Sequence, residues 1–213
     1  MPYGFMDIAA TPSVRAAQAQ MRVEQHWQAF KGERGFDRFT ANEAAFIAAR
    51  DSFYIASASE TGWPYVQHRG GPRGFLKVVD DTSLAFADYS GNRQYISLGN
   101  LNADDRACLF LMDYARRTRL KIYGHVEIVA AEADSGLLER VTVPSYRARI
   151  ERIVRVRLAA FDWNCPQHIT PRFTEAEIAE AVQPMHERIA ALEAETANLR
   201  AQLAHAHSKG EHP

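Results

Sequence analysis

Cysteine is nearly absent: Cys108 and Cys165 are the two in 213 residues, too few for a disulfide framework or a paired metal motif. The chain must hold itself together by packing, and so few thiols suit a reducing compartment, so the cytoplasm is the expected location. Long apolar runs are missing too, none nearing the ~20 residues that span a bilayer, so no membrane partner is expected. The opening stretch, MPYGFMDIAATPSVRAA, has neither the basic start nor the continuous apolar segment of an export signal. Charge of one sign is also lacking. With 25 Lys and Arg against 26 Asp and Glu, the net charge of −1 lacks the basic excess of a nucleic-acid binder. No GxxxxGK[ST], no GxGxxG after a strand, no HExxH and no GxSxG occurs, which argues against P-loop, dinucleotide-fold, zincin and α/β-hydrolase chemistry.

What is present is a chain 46% hydrophobic and 24% charged, long enough to bury one core and carry appendages. Pro12 and Ser13 open a helical approach in which Val14, Ala17, Met21, Trp27 and Phe30 recur at roughly helical spacing until Gly32 and Gly35 break it. Thr40 with Glu43 forms a capping box for a helix over Ala41–Arg50. From residue 52 the period shortens to that of strands. SFYIASAS, PYVQHR, GFLKVV, SLAFAD, RACLFLMDY, RLKIYGHVEIVAA and RIVRVRLAAFDW are β-rich runs, with short helices expected over Arg93–Leu101 and Ser135–Val141. Six or seven antiparallel strands joined by tight turns predict a small barrel.

After Thr174 and Glu177, a second capping box, the pattern turns helical to about Ala204. Ile178, Val182, Met185, Ile189, Leu192, Thr196, Leu199 and Leu203 alternate four and three residues apart, a heptad seam that predicts a helical partner. Pro184 should kink or split that helix. Cys165 and His168 are spaced C-x-x-H without further ligands, so no metal site is assigned. The arginines at 147, 149, 152, 155 and 157 read as a solvated strand face.

The neutral total conceals a local surplus. Residues 66–121 hold nine Lys and Arg against six Asp and Glu, leaving sixteen against twenty elsewhere. Arg69, Arg73, Lys77 and Arg93 stand at turns and strand ends, with glycines in RGGPRG and SGNRQ. Gly turns let backbone N–H groups approach a ligand, arginine forks match phosphate, and a helix start favours an anion. Arg69 or Lys77, with Arg93 and the polar groups of Ser90 and Asn92, would make a phosphate site. Solvated turns carry the same residue types, so spacing alone leaves both readings open.

The run FLKVVDDTSLAFADYSGNRQYISLGNLN (75–102) resembles the flavin-binding core of the pyridoxamine 5′-phosphate oxidase-like proteins: a Lys-containing strand, an acidic turn, an aromatic-containing strand, then Gly-x-Arg opening a helix that ends near Asn. RLKIYGHVEI (119–128) is similar to the next barrel strand, with its central Gly. The resemblance covers about residues 40–165 and implies a mainly β fold with flanking helices, the FMN-binding split β-barrel, followed here by a long C-terminal helix. It divides the chain into an N-terminal helical arm (1–39), the flavin-binding barrel (40–165) and the C-terminal helix with its tail (166–213).

Residue by residue, the resemblance implies that Lys77 and Arg93 bind the FMN phosphate. Gln94 stands where the family often has Lys, and Arg69 or Arg73 replaces that charge. Ala87 and Asp88 line the flavin, Arg119 offers a polar side chain to the ring from the partner subunit, and Trp163 packs nearby. The family's flavin lies between two subunits, so a homodimer is expected. DWNCPQHITPRF (162–173) replaces the Arg-x-His-type segment that grips substrate phosphate, so vitamin B6 oxidase activity itself is not expected. The expected function is an FMN-binding oxidoreductase passing electrons between a small-molecule substrate or electron donor and an acceptor. The alternative is a flavin carrier or sensor without turnover, and deazaflavin or haem are alternative ligands. No catalytic acid or base is assigned.

Overall fold

The computed structural model describes residues 4–23, 37–164 and 166–210; Trp27, Phe30, Gly32, Gly35 and Cys165 lie outside them. The chain divides into two compact units, Met1–Ile169 and Thr170–Pro213.

In the first unit, helices α1 (Phe5–Ala9), α2 (Pro12–Gln20) and α3 (Ala41–Ala48) precede seven strands. These are β1 (Ser52–Ala58), β2 (Pro64–Gly70), β3 (Lys77–Asp80), β4 (Ser83–Tyr89), β5 (Arg106–Asp113), β6 (Thr118–Ala130) and β7 (Ile150–Asn164). Helix α4 (Ile96–Ala103) follows β4, and α5 (Ser135–Val141) follows β6. The strands form one antiparallel sheet in the order β2-β1-β5-β6-β7-β4-β3, the mainly β fold that the sequence predicts.

Alternation builds the core. Along β5, Ala107, Leu109 and Leu111 face inward, and along β6 Leu120, Ile122 and Val126 do the same. The sheet is rolled. Phe53 of β1, second in the order, meets Phe86 of β4, sixth in the order, with ring centroids 5.2 Å apart. No strand pairing joins β2 to β3, so the barrel is split along that seam.

Gly124 permits the roll at its tightest point. A Cβ there would lie 2.6 Å from Val156 Cγ1 and 2.7 Å from the Arg157 carbonyl oxygen, beside the register shift between β6 and β7. The capping box on α3 forms as expected: the Thr40 N–H donates to Glu43 Oε2 at 3.0 Å. Trp163 Nε1 donates to the other oxygen of the same buried carboxylate at 2.8 Å, tying α3 to the end of β7. Arg50 Nη2, just past α3, reaches the buried Asp113 at the β5–β6 hairpin at 2.8 Å.

Two boundaries differ from the sequence pattern. β3 starts at Lys77 rather than Gly74 because Pro72–Phe75 forms a turn, closed by the Phe75 N–H on the Pro72 carbonyl at 2.9 Å. Helix α4 starts at Ile96 rather than Arg93 because Arg93 and Tyr95 are left-handed, with φ of 57° and 53°.

The second unit is α6 (Glu175–Gly210), one helix running through Pro184. The proline does not split it: Pro184 lies off the heptad seam on an exposed face, where water can serve the Glu180 carbonyl that lacks its usual donor. No helix among the described residues is long and apolar enough to cross a membrane.

Candidate functional site

The seam opens into a cleft because β3 is short. Its pairing with β4 ends at Lys77 opposite Ala85, so from Phe86 to Tyr89 the strand has β7 on one side and no strand on the other. The inner face of β2 stands across the gap. The cleft holds about 290 Å³, near the lower end of small-molecule sites, and its walls include Tyr65, His68 and Arg69 of β2, Phe86–Tyr89, the turn Gly91–Gln94 and the start of α4.

Its floor is a charged cluster set by strand parity. Phe86 and Val154 point into the core, and so do Asp88 and Arg152, two residues along on the same faces. Arg69 Nη1 donates to Asp88 Oδ1 at 2.6 Å, and Arg152 Nη1 lies 3.4 Å from Asp88 Oδ2. Arg152 also pairs with Glu151 at 2.7 Å. Register places Asp88 opposite Arg152 and Tyr89 opposite Ile150, so Glu151 is the extra residue of a bulge.

Burial pushes the Asp88 carboxyl above the usual carboxylate range, against the pull of Arg69 and Arg152. Glu151 is held below that range by the Ser90 hydroxyl and then by Arg152 and Tyr95. Two residues that line the cleft each hold a buried polar atom without a hydrogen-bond partner among the described residues: Arg69 Nε and the Tyr89 hydroxyl. A buried polar atom left unsatisfied is costly.

The other end of the cleft is the start of α4. Asn92 Oδ1 accepts the Gln94 N–H at 3.2 Å, and the left-handed Arg93 and Tyr95 turn the chain sharply into the helix. The first helical hydrogen bond runs from the Gly99 N–H to the Tyr95 carbonyl at 2.9 Å, and no side chain caps the helix. The amides of Ile96, Ser97 and Leu98 therefore precede the ladder at a wall of the cleft, beside exposed Arg93.

Of the residues singled out from sequence, Arg69, Ala87, Asp88, Asn92, Arg93 and Gln94 come together in this cleft. Ser90 is outside the lining, between Tyr89 and Gly91 that belong to it, its N–H donating to the Arg149 carbonyl at 2.9 Å. Lys77 opens β3 outside the lining, and exposed Arg73 lies in the turn before it. Arg119 is paired with Met112 and Asn164 in the sheet, and Trp163 packs edge-on against Phe46 at 4.8 Å; neither lines the cleft of one chain.

The solvated-face reading fails for Arg152, which is largely buried at Asp88. Its even spacing from the core residues Val154 and Val156, opposite in parity to Arg155 and Arg157, is the signal that identifies it.

The description "pyridoxamine 5′-phosphate oxidase" belongs to the family whose sequence pattern matches residues 39–163. Among solved structures, a putative pyridoxamine 5′-phosphate oxidase from Lactobacillus delbrueckii is 15% identical, covering 60% of this chain and 96% of that one, with a TM-score of 0.46. An FMN-binding protein from Syntrophomonas wolfei is 12% identical over 69% of this chain and 97% of its own, with a TM-score of 0.44. A FAD-binding protein from Mesorhizobium loti is 14% identical over 59% and 94%, with a TM-score of 0.38. At these values the similarities carry neither a ligand nor an activity to this chain. No curated protein matches.

Proposed function

Because the chain belongs to the pyridoxamine 5′-phosphate oxidase family, we propose that it is a flavoprotein holding FMN in the seam cleft and acting as an oxidoreductase on a small substrate. The observation that carries this reading is an uncapped helix start beside exposed Arg93 on the wall of a cleft whose lining also includes Arg69 and Tyr89, each with an unsatisfied buried polar atom. A flavin mononucleotide has the matching parts: a phosphate for the helix start and a flat apolar ring with hydrogen-bonding edges for the strand side.

Arg93, Asn92 and the first amides of α4 would hold the phosphate. Gln94 adds a neutral contact there. The free edge of β4 over Ala87–Asp88 and the unsatisfied donors of Arg69 and Tyr89 would take the polar edges of the ring. Asp88, itself beside Arg152, keeps the Arg69 guanidinium in place at the floor of the cleft. Bound there, FMN supplies the hydride and single-electron chemistry that amino-acid side chains lack.

Arg119 reaches such a ring from a second copy, which makes the working unit a homodimer, and the cytoplasm its location. Exposed Tyr54 and Val66 on the outer face of β1 and β2 give that homodimer an apolar surface to cover. Purification tests the reading. The protein should carry a chromophore absorbing near about 450 nm and release FMN on denaturation. A colourless protein that takes up no added FMN would overturn it. Turnover of a nicotinamide donor by the loaded protein then separates an enzyme from a carrier.

A further inference from the structure

The face of α6 that carries the heptad seam is exposed. Ile178, Met185, Ile189, Leu192 and Leu199 each show between 43% and 57% of their surface to solvent, far more apolar exposure than a solitary soluble helix sustains. We propose that this seam pairs with the same helix of a second copy as a parallel, in-register, two-stranded coiled coil.

Three independent features choose that occupant. The first is the residue choice along the seam. Counting Val182 as position a, the a positions carry the β-branched Val182, Ile189 and Thr196, then Leu203 towards the helix end, and the d positions carry Ile178, Met185, Leu192 and Leu199. β-Branched residues at a with mainly Leu-type residues at d favour two parallel strands. The second is the lone polar layer. The Thr196 hydroxyl donates to the Leu192 carbonyl of its own helix at 2.7 Å, and in a parallel pair Thr196 meets its own copy, which confines the polar interruption to one layer of the seam. In the antiparallel pair of equal overlap it faces Met185, and the interruption spreads over two layers.

The third feature is charge. Position g precedes position e of the next heptad by five residues, and these two meet across a parallel pair. Here they are Arg188 with Glu193 and Glu195 with Arg200, opposite in sign both times. None of these four side chains makes an ion pair among the described residues, and five-residue spacing keeps the partners of each pair from meeting within one helix. Symmetry doubles the two pairs to four. Pro184 falls at position c, away from the seam, so it does not obstruct the partner.

The inference is independent of the flavin reading, since the seam belongs to a different unit of the chain. The test uses the full chain with Cys108→Ala and Cys165→Ala, adding Leu199→Cys. Under mild oxidation this chain should form a covalent dimer through residue 199. Placing Val182→Cys on one chain and Leu199→Cys on another should give no mixed product, since those positions lie about 25 Å apart along a parallel pair at about 1.5 Å per residue. Arg188→Glu should slow the residue-199 cross-link about tenfold by setting like charges opposite one another, and Arg188→Glu with Glu193→Arg together should restore it.

Mixed 182–199 product would overturn the parallel arrangement. Absence of any cross-link would overturn the self-pairing and leave the seam to another occupant. Arg188, Glu193 and Leu199 are exposed and Val182 is half-buried, and retained strand content in circular dichroism confirms that the barrel stays folded in each variant, the Cys108→Ala and Cys165→Ala background included.

Discussion

Arg69 on β2 and Asp88 on β4 meet at 2.6 Å across the one seam of the barrel that no backbone pairing closes. The ion pair stands where a ladder of hydrogen bonds would otherwise run. It therefore ties the two edges of the seam together at the floor of the cleft.

Removing Arg69 should loosen the fold as well as the site. Arg69→Ala leaves the buried Asp88 carboxylate with Arg152 alone at 3.4 Å. A fully buried pair broken on one side costs about 3–5 kcal/mol; partial exposure of Arg69 brings the expected loss to about 2 kcal/mol. Urea unfolding measures it, and Arg69→Lys should recover only part, because an ammonium lacks the fork.

Arg93 is exposed and its side chain makes no hydrogen bond or ion pair among the described residues, so Arg93→Ala should leave the melting temperature unchanged. FMN affinity should fall about ten- to a hundredfold, the worth of one charge-assisted bond to phosphate. Fluorescence titration of the stripped protein supplies the number. Unchanged affinity would remove Arg93 from the site.

Two buried aspartates should titrate on opposite sides of the ordinary range. Burial raises Asp88 in spite of its two arginines. Burial also works against Asp113, yet the Arg116 backbone N–H and the Arg50 and Arg116 guanidinium groups hold its carboxyl low. A depressed folded pKa means that Asp113 contributes stability above its unfolded value, near about 3.9, and loses that contribution as pH falls through the folded value. Asp88 has the reverse sign: its ionised form costs stability above its raised pKa, and protonation relieves that cost as pH falls. Carboxyl carbon NMR should resolve the two. The stability gap between wild type and Asp113→Asn should close below about pH 4.

Gly124→Ala should be among the most damaging small substitutions in the chain. The new methyl would press on Arg157 backbone at 2.7 Å as well as on Val156, and a backbone atom cannot swing aside. We expect a loss of about 2–4 kcal/mol, read as a lower thermal midpoint. Gly99→Ala, where a Cβ meets nothing within 4 Å, is the control and should be neutral or slightly stabilising.

Local chemistry made much of this protein legible in its sequence. Period-two runs announced the strands, Thr40 with Glu43 and Thr174 with Glu177 marked helix starts to the residue, and the heptad seam stood out by spacing alone. These depend on residues within a turn or two of each other, which is the range over which sequence pattern acts. The gathering of Arg69, Asp88 and Arg93 at one place was legible only as a resemblance, because their separation in the chain says nothing of distance across a rolled sheet.

The roles of Arg152 and Tyr89 were decided by tertiary structure. Arg152 looks like one more member of a basic strand until the bulge at Glu151 and the register with β4 set it against Asp88. The cleft itself exists because β3 ends four residues short of β4's far end, where the Pro72–Phe75 turn takes the chain away. Strand parity can be counted from the sequence. Which edges remain unpaired, and what stands across from them, follows only from how seven strands share one core.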